Sequence, residues 1–312
     1  MIQIERYDKT LKSAWDSFNQ QAINGTFFFN RNFIEYHADR FIDHSLLFYR
    51  KDQLIAILPL HEKDGVANSH QGLSFGGFVV SRKVDTLLML QVFRKLREYL
   101  KSQLFHTLFY KAQPSIYAQE PAQEDLVALY QHGASLYKRA NISVLDLTVP
   151  LHYSKLRQRC LKKALENSLT LAFSNEVEEF MNLVEIIHAT AGIRAPTHTT
   201  AELRYLKELF PENIKLLTAY QGEELIGGVI LFEHRQVVNL QYMATSPKGK
   251  KVHALDLLLH HVIQVYKSQK KYLSFGTSYD DREPYGLSQN LLRNKTSYGT
   301  RTVVQDTYYL FL

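Results

Sequence analysis

The sequence predicts an α/β protein built from two tandem copies of one plan, residues 1–149 and 150–312. Three observations carry this expectation. Two β-hairpins recur: residues 45–62 have two apolar runs about the polar turn Lys51-Asp52-Gln53, and residues 214–234 have the same about Gln221-Gly222-Glu223-Glu224. Tyr49, Leu54 and Ile55 meet Tyr220, Leu225 and Ile226 at a single offset of 171 residues. Each hairpin is then followed by a third apolar run, a turn, a long amphipathic stretch and a short strand-like run.

Taken in order, the elements fit that plan. The opening "MIQIERYDKTLKSAWD" has charged residues and no apolar run, so neither a signal peptide nor a membrane helix is expected there. The best apolar run, Leu54 to Leu60, falls well short of the roughly 20 residues a span requires. The third runs are "HQGLSFGGFVV" and "VVNLQYMATS", and "FGGF" at Phe75 to Phe78 reads as a bulge or a close backbone contact inside the first of them. Met89, Val92, Phe93, Leu96 and Leu100 form one helical stripe, and Leu255, Leu258, Leu259, Val262, Ile263 and Tyr266 form the other. "HTLFYKA" and "KYLSFGTS" supply the strands that follow. Pro150 ends the first copy, and Ser154 caps a new helix whose Lys155, Arg157, Arg159, Lys162 and Lys163 make either a solvated basic face or a groove for an acidic ligand.

Composition narrows the function classes. Hydrophobic residues at 45% and charged residues at 22% describe an ordinary globular chain with enough apolar material for a sizeable core. A net charge of +6 with 31 acidic residues interspersed is a mild bias toward phosphate-bearing partners, not a polybasic footprint. The single Cys160 excludes an internal disulfide and a cysteine-based zinc site, which suits the reducing cytoplasm, the expected location. The thirteen histidines form no metal set, and no nucleophile elbow, Walker loop or dinucleotide fingerprint is present.

The order hairpin, third strand, loop, long helix resembles the GCN5-related N-acetyltransferase (GNAT) superfamily. A tandem of two resembles the Fem-type peptidoglycan aminoacyltransferases and their acetyltransferase relatives. "SKLRQRCLKKALENSLTL" looks like the basic helix opening the second half of those proteins, and "ATAGIRAPTHTTAELRYLKELF" is similar to their Arg, Pro, short-helix segment. "YLSFGTS" resembles their fifth strand, "GLSQNLLRNKTSYGTRTVVQDTYYL" their closing sequence, and "NGTFFFNRNFIEYHADRFIDHSLLFY" their first-domain helices. The resemblance implies two GNAT-like domains, each a mixed, mostly antiparallel sheet flanked by helices, with the acyl donor on the second.

It also implies a site. Ser246-Pro247-Lys248-Gly249-Lys250-Lys251-Val252-His253 stands where relatives bind the coenzyme A pyrophosphate, by backbone amides and a helix N-terminus. Lys248, Gly249, Lys250, Lys251 and His253 are the candidates there, and a plain exposed turn is the alternative. Only one glycine stands where the family pattern has two. Backbone amides between Gln241 and Thr245, including Tyr242 and Ala244, are expected to polarise the acyl carbonyl. Tyr279, Asp280, Asp281, Glu283 and Tyr285, after the fifth strand, are candidate acid–base groups or simply a polar loop. Relatives place a tyrosine acid near the end, and the tyrosine in that stretch is Tyr298. Lys295 matches the closing lysine near the acceptor site, and Arg194 with His198 suits an anionic acceptor.

The function expected from the resemblance is transfer of an acyl group, acetyl from acetyl-coenzyme A first of all, to an amine of a small metabolite, sugar nucleotide or cell-envelope glycan precursor. No metal is required, and the acceptor is expected in the cleft between the halves. Two alternatives stand beside it: a Fem-type ligase using aminoacyl-tRNA, which the mild charge disfavours, and a catalytically degenerate binding module.

Overall fold

In a computed structural model describing residues 1–192, 194–280 and 282–312, the chain forms two compact units: Met1–Ala140 with Val303–Leu312, and Asn141–Thr302. The first carries β1 (Ile2–Arg6), α1 (Lys12–Gln21), α2 (Arg31–Glu35), β2 (Ile42–Asp43), β3 (Leu46–Arg50), β4 (Gln53–Leu58), β5 (His61–Lys63), β6 (Val66–Asn68), β7 (Val79–Val80), α3 (Thr86–Ser102), β8 (Thr107–Lys111) and α4 (Glu124–Gln131). Strand β9 (Ser135–Asp146) leads into the second unit. That unit carries α5 (Lys155–Leu165), β10 (Thr170–Ser174), α6 (Val177–Thr190), α7 (Thr200–Leu209), β11 (Ile214–Gln221), β12 (Glu224–Glu233), β13 (Val237–Thr245), α8 (Pro247–Lys251), α9 (Ala254–Tyr266), β14 (Tyr272–Thr277) and α10 (Gln289–Thr296). From Val303 onward, β15 (Arg301–Phe311) belongs to the first unit.

The two units repeat one strand register. In the first hairpin Phe48 pairs with Ala56 and Tyr49 with Leu54, skipping Ile55. In the second, Ala219 pairs with Gly227 and Tyr220 with Leu225, so the same bulge recurs 171 residues later. The short strands β5 and β6 obey that offset too: His61 faces Asn68 as Phe232 faces Asn239. Thus β2 and β3 together correspond to β11, and β4 and β5 to β12. Among the described pairings, all are antiparallel except where β6 meets β8 and β13 meets β14. The fold is therefore α/β, with mostly antiparallel sheets flanked by helices.

The repeat breaks at one point. Residues 69–78 of the first unit stand where the second has only 240–243, since Ile57 pairs with Val79 as Gly228 pairs with Ala244. The run expected as a third strand over 70–80 is strand only at Val79–Val80, and Phe75 to Phe78 lies outside it. The glycines there serve close packing: a Cβ on Gly76 would lie 1.9 Å from the Ser69 carbonyl oxygen, and Gly77 has φ +89° beside the Tyr110 hydroxyl.

Each unit buries its own long helix against its sheet. Asp85 caps α3 by accepting from the Leu88 amide at 2.7 Å, and Leu88, Met89, Val92, Phe93, Leu96 and Leu100 are buried. On α9 the buried set is Ala254, Asp256, Leu258, Leu259, Val262, Ile263 and Tyr266, while Leu255 is only partly covered. Fully burying each large apolar side chain contributes about 1.5–3 kcal/mol, so these stripes fix both helices. Among the described residues, no helix is long and apolar enough to cross a membrane.

Three histidines of the first unit pack ring to ring, His37 and His61 each with its centroid 5.3 Å from that of His70. Burial lowers the pKa of His61 to about 4 and holds His70 well below its ordinary value. Unfolding returns both to about 6.5, so the unfolded chain binds more protons between those values. Stability is full above pH 6.5 and falls as pH drops toward 4. Denaturant midpoints at pH 7.5 and pH 5 should differ in that direction, and His61→Phe should shrink the difference. Gly76→Ala is expected to cost about 2–3 kcal/mol by steric conflict. Gly222→Ala, with φ +64° but open space around it, should cost only about 1 kcal/mol.

Candidate active site in the second unit

The site starts from a strand that keeps one neighbour and loses the other. β13 pairs with β12 along its length, with Gln241 bulged out between Leu240, which faces Leu231, and Tyr242, which faces Ile230. With β14 it pairs only from Val237↔Tyr272 to Asn239↔Ser274. β14 in turn stays with β9, resuming at Thr277↔Ile142 after an irregularity that includes Gly276 at φ +68°. Beyond Asn239 and Ser274 the two strands diverge, leaving the β14-facing edge of residues 240–245 without a strand partner among the described residues. The amides near Tyr242 and Ala244 lie on this stretch. In the first unit the corresponding gap is closed by residues 69–78: Ser69 donates to the Phe109 carbonyl at 2.8 Å, Gly76 to that of Lys111 at 2.9 Å, and Phe78 to the Tyr110 hydroxyl at 2.7 Å.

On the diverging side of β14, Lys295 is buried on α10 and donates from Nζ to the carbonyls of Gly276 at 3.2 Å and Thr277 at 2.6 Å. Burial lowers its pKa to about 8. The next residue, Ser278, is fully buried, and its Oγ has no hydrogen-bond partner among the described residues. Tyr279 follows, partly exposed and bridged to Leu287. Asp280 accepts two bonds at 3.0 Å from Arg282, and that pairing holds its carboxyl below the ordinary range. Asp281 lies outside the described residues. Glu283 and Tyr285 are exposed, Tyr285 almost fully.

The turn before α9 is helical. Ser246 caps α8, taking the Gly249 amide on its Oγ at 3.1 Å. Gly249 is buried: a Cβ there would lie 2.1 Å from the Ile226 carbonyl, so packing against β12 requires the glycine. Lys248 pairs with Glu224 at 2.5 Å, while Lys250 and Lys251 are exposed. His253, with φ +57°, starts α9 without a side-chain cap. The first amides of α9, at Ala254 and Leu255, therefore have neither an intrahelical acceptor nor a capping side chain.

Behind that helix start lies a network that the sequence did not disclose. Arg157 on α5 donates to Asp256 Oδ1 at 2.8 Å, to Ser297 Oγ at 2.7 Å and to the Tyr298 hydroxyl at 3.2 Å, with its guanidinium 4.6 Å from the Tyr298 ring centre. Tyr298 in turn donates to Asp256 at 3.3 Å, and burial raises its pKa far above that of a free phenol. Cys160, His253 and Asp256 bring their polar atoms within 4.8 Å of one another. The guanidinium already on Asp256 makes that set a poor cation site. Elsewhere the structure joins His198 to Tyr242, whose hydroxyl takes the His198 amide at 3.1 Å and meets its Nδ1 at 2.8 Å. Arg194 is exposed, and its carbonyl accepts from His188 Nδ1 at 2.7 Å.

Removing one partner of a buried pair strands the other. Asp256→Ala should therefore destabilise the second unit by about 3–5 kcal/mol, and Arg157→Met with Asp256→Leu by much less. Denaturation of the single and double variants measures the coupling.

Residues 154–285 match the family described as acetyltransferase (GNAT) domain. No curated protein sequence matches the chain. Among solved structures, FemX superposes with TM-score 0.72 at 11% identity, covering 99% of this chain and 97% of that one. L-PGS from Bacillus licheniformis gives 0.63 at 12%, covering 98% and 93%. A tandem GNAT protein from the clavulanic acid biosynthesis pathway gives 0.51 at 14%, covering 99% and 98%. The duplicated strand register and the diverging β13 and β14 agree with these likenesses: residues 154–285 match a GNAT domain, and the fold of the chain is similar to that of FemX.

Proposed function

We propose that the second unit is an N-acyltransferase that moves an acyl group, acetyl from acetyl-coenzyme A first of all, onto an amine of a small metabolite, sugar nucleotide or glycan precursor. The observation that supports this reading is the edge of β13 beyond Asn239, unpaired among the described residues, next to a helix whose first amides have no side-chain cap. In this scheme the thioester lies along that edge, an amide of residues 240–245 takes the carbonyl oxygen, and the pyrophosphate meets the Ala254 and Leu255 amides with Lys250 and Lys251.

The acceptor nitrogen attacks the carbonyl carbon, the carbon–sulfur bond breaks, the amine gives up a proton and the thiolate gains one. Tyr279, exposed at the end of β14, suits the acid better than Tyr298, whose proton is shared with Asp256. Asp280, held ionised by Arg282, suits the base. Lys295 fixes the strand end that presents both and, with Arg194, contributes positive charge for an anionic acceptor, beside which His198 is held by Tyr242.

A second reading has its own support. The Gly249 amide is used within the turn, so the phosphate cradle is short, and a donor without a pyrophosphate there, an aminoacyl-tRNA, fits that economy. The two are separated by calorimetry and transfer assays on the whole chain. Acetyl-coenzyme A should bind, and Lys250→Ala with Lys251→Ala should weaken it about tenfold. Lys295→Met should lower kcat more than it raises KM. Absence of any response to coenzyme A or acetyl-coenzyme A, with transfer from aminoacyl-tRNA, would establish the second reading, and absence of both activities a degenerate module.

A further inference from the structure

The residues inserted into the first unit do more than close its strand gap. Where they leave β6 they help to form a cavity of about 320 Å³, lined by Ser69, His70 and Gln71 on one side and by Phe109, Lys111 and Tyr137 on the other. Pockets for small molecules begin near this size. Among the described residues, no acidic side chain lines it. One N–H of Lys111 Nζ goes to the Leu73 carbonyl at 2.9 Å, which leaves two for other acceptors. Burial, with Lys138 nearby, lowers its pKa to about 8.

His70 is 2% exposed and sits at φ +59°, a strained conformation for a side-chain-bearing residue. Its Nδ1 is shut off from solvent and has no hydrogen-bond partner among the described residues, and burial holds its pKa well below the ordinary value. Phe109 and Tyr137 meet edge to face, centroids 5.1 Å apart, and Tyr137 is exposed. A buried amine with no carboxylate partner among the described residues, beside two ring walls, makes an arrangement that is costly unless something fills it.

We propose that this cavity is a second ligand site, taking a small anion carried on a ring, a sugar phosphate or an aromatic carboxylate, with the anionic group on Lys111 and the ring against Phe109 and Tyr137. The site is independent of acyl transfer, because every residue that lines it belongs to the first unit.

Calorimetry on the whole chain, without any acyl donor, tests the idea with ribose 5-phosphate, 4-hydroxybenzoate, neutral ribose and inorganic phosphate as probes. One ring-bearing anion should bind, and which one identifies the class; ribose and inorganic phosphate should bind at least about tenfold more weakly. Lys111→Met should weaken binding about tenfold or more, and Tyr137→Ala, at an exposed position, should weaken it while leaving the denaturation midpoint unchanged. At pH 8, binding should be accompanied by proton uptake, seen as a buffer-dependent enthalpy, because the docked anion raises the pKa of Lys111. The proposal is overturned if neither ring anion binds by about 10 mM, if ribose binds as well as its phosphate, or if both variants bind like the unaltered chain.

Discussion

A β-strand can follow two neighbours only while they run together, and in the second unit they do not. β13 stays with β12 and parts from β14 after three pairs. Every backbone group on the two edges so exposed must find another partner. The molecule answers differently on the two sides. At the end of β14, Lys295 satisfies the carbonyls of Gly276 and Thr277 from one ammonium group, which accounts for a lysine buried without a carboxylate. On the β13 side no side chain among the described residues performs the equivalent service for residues 240–245, and the bulge at Gln241 increases the local twist. The second unit thus fixes one rim of the gap and leaves the other with unspent hydrogen-bonding capacity.

The first unit meets the same constraint with backbone. Its extra residues run on along β8, so that Ser69 and Gly76 complete hydrogen bonds with Phe109 and Lys111. This closure has a conformational cost: Gly76 admits no Cβ, Gly77 is left-handed, and His70 is left-handed with a side chain. Two copies with one strand register therefore differ most at the place where strands diverge. A transfer site needs that place open, and a closed copy is released to hold something else or nothing.

Much of this was legible in the sequence, and the exceptions share a cause. The hairpins were visible because alternation and turn residues are local signals, and the offset of 171 held through Asn68 and Asn239. The change of spacing after Asn68 was hidden because "LSFGGFVV" is as apolar as a strand throughout, so composition gave no sign that only Val79–Val80 pair. Gly249 was visible as a glycine before a helix, but its reason, the Ile226 carbonyl, comes from β12. Arg157 looked like one more charge on a basic helix, since its partner Asp256 is 99 residues away. A signal existed: Asp256 is the one acidic residue within the apolar stripe of α9, and a charge in such a stripe asks for a partner.

That pair also decides the charge at the start of α9. A carboxylate in the first turn of a helix is favourable for the helix dipole but repels any anion seeking the same amides. Unpaired, Asp256 would oppose a phosphate at Ala254 and Leu255 with the strength of a charge in a low-dielectric setting. Arg157 at 2.8 Å cancels most of that field locally, and Tyr298 and Ser297 hold the guanidinium so that it cannot swing away. What remains at the helix start is the positive end of the dipole with Lys250 and Lys251 exposed beside it. The basic helix α5 thus acts on the site from behind, through Arg157 and Asp256, as a set of bonds that keeps an acidic residue from closing the helix to anions.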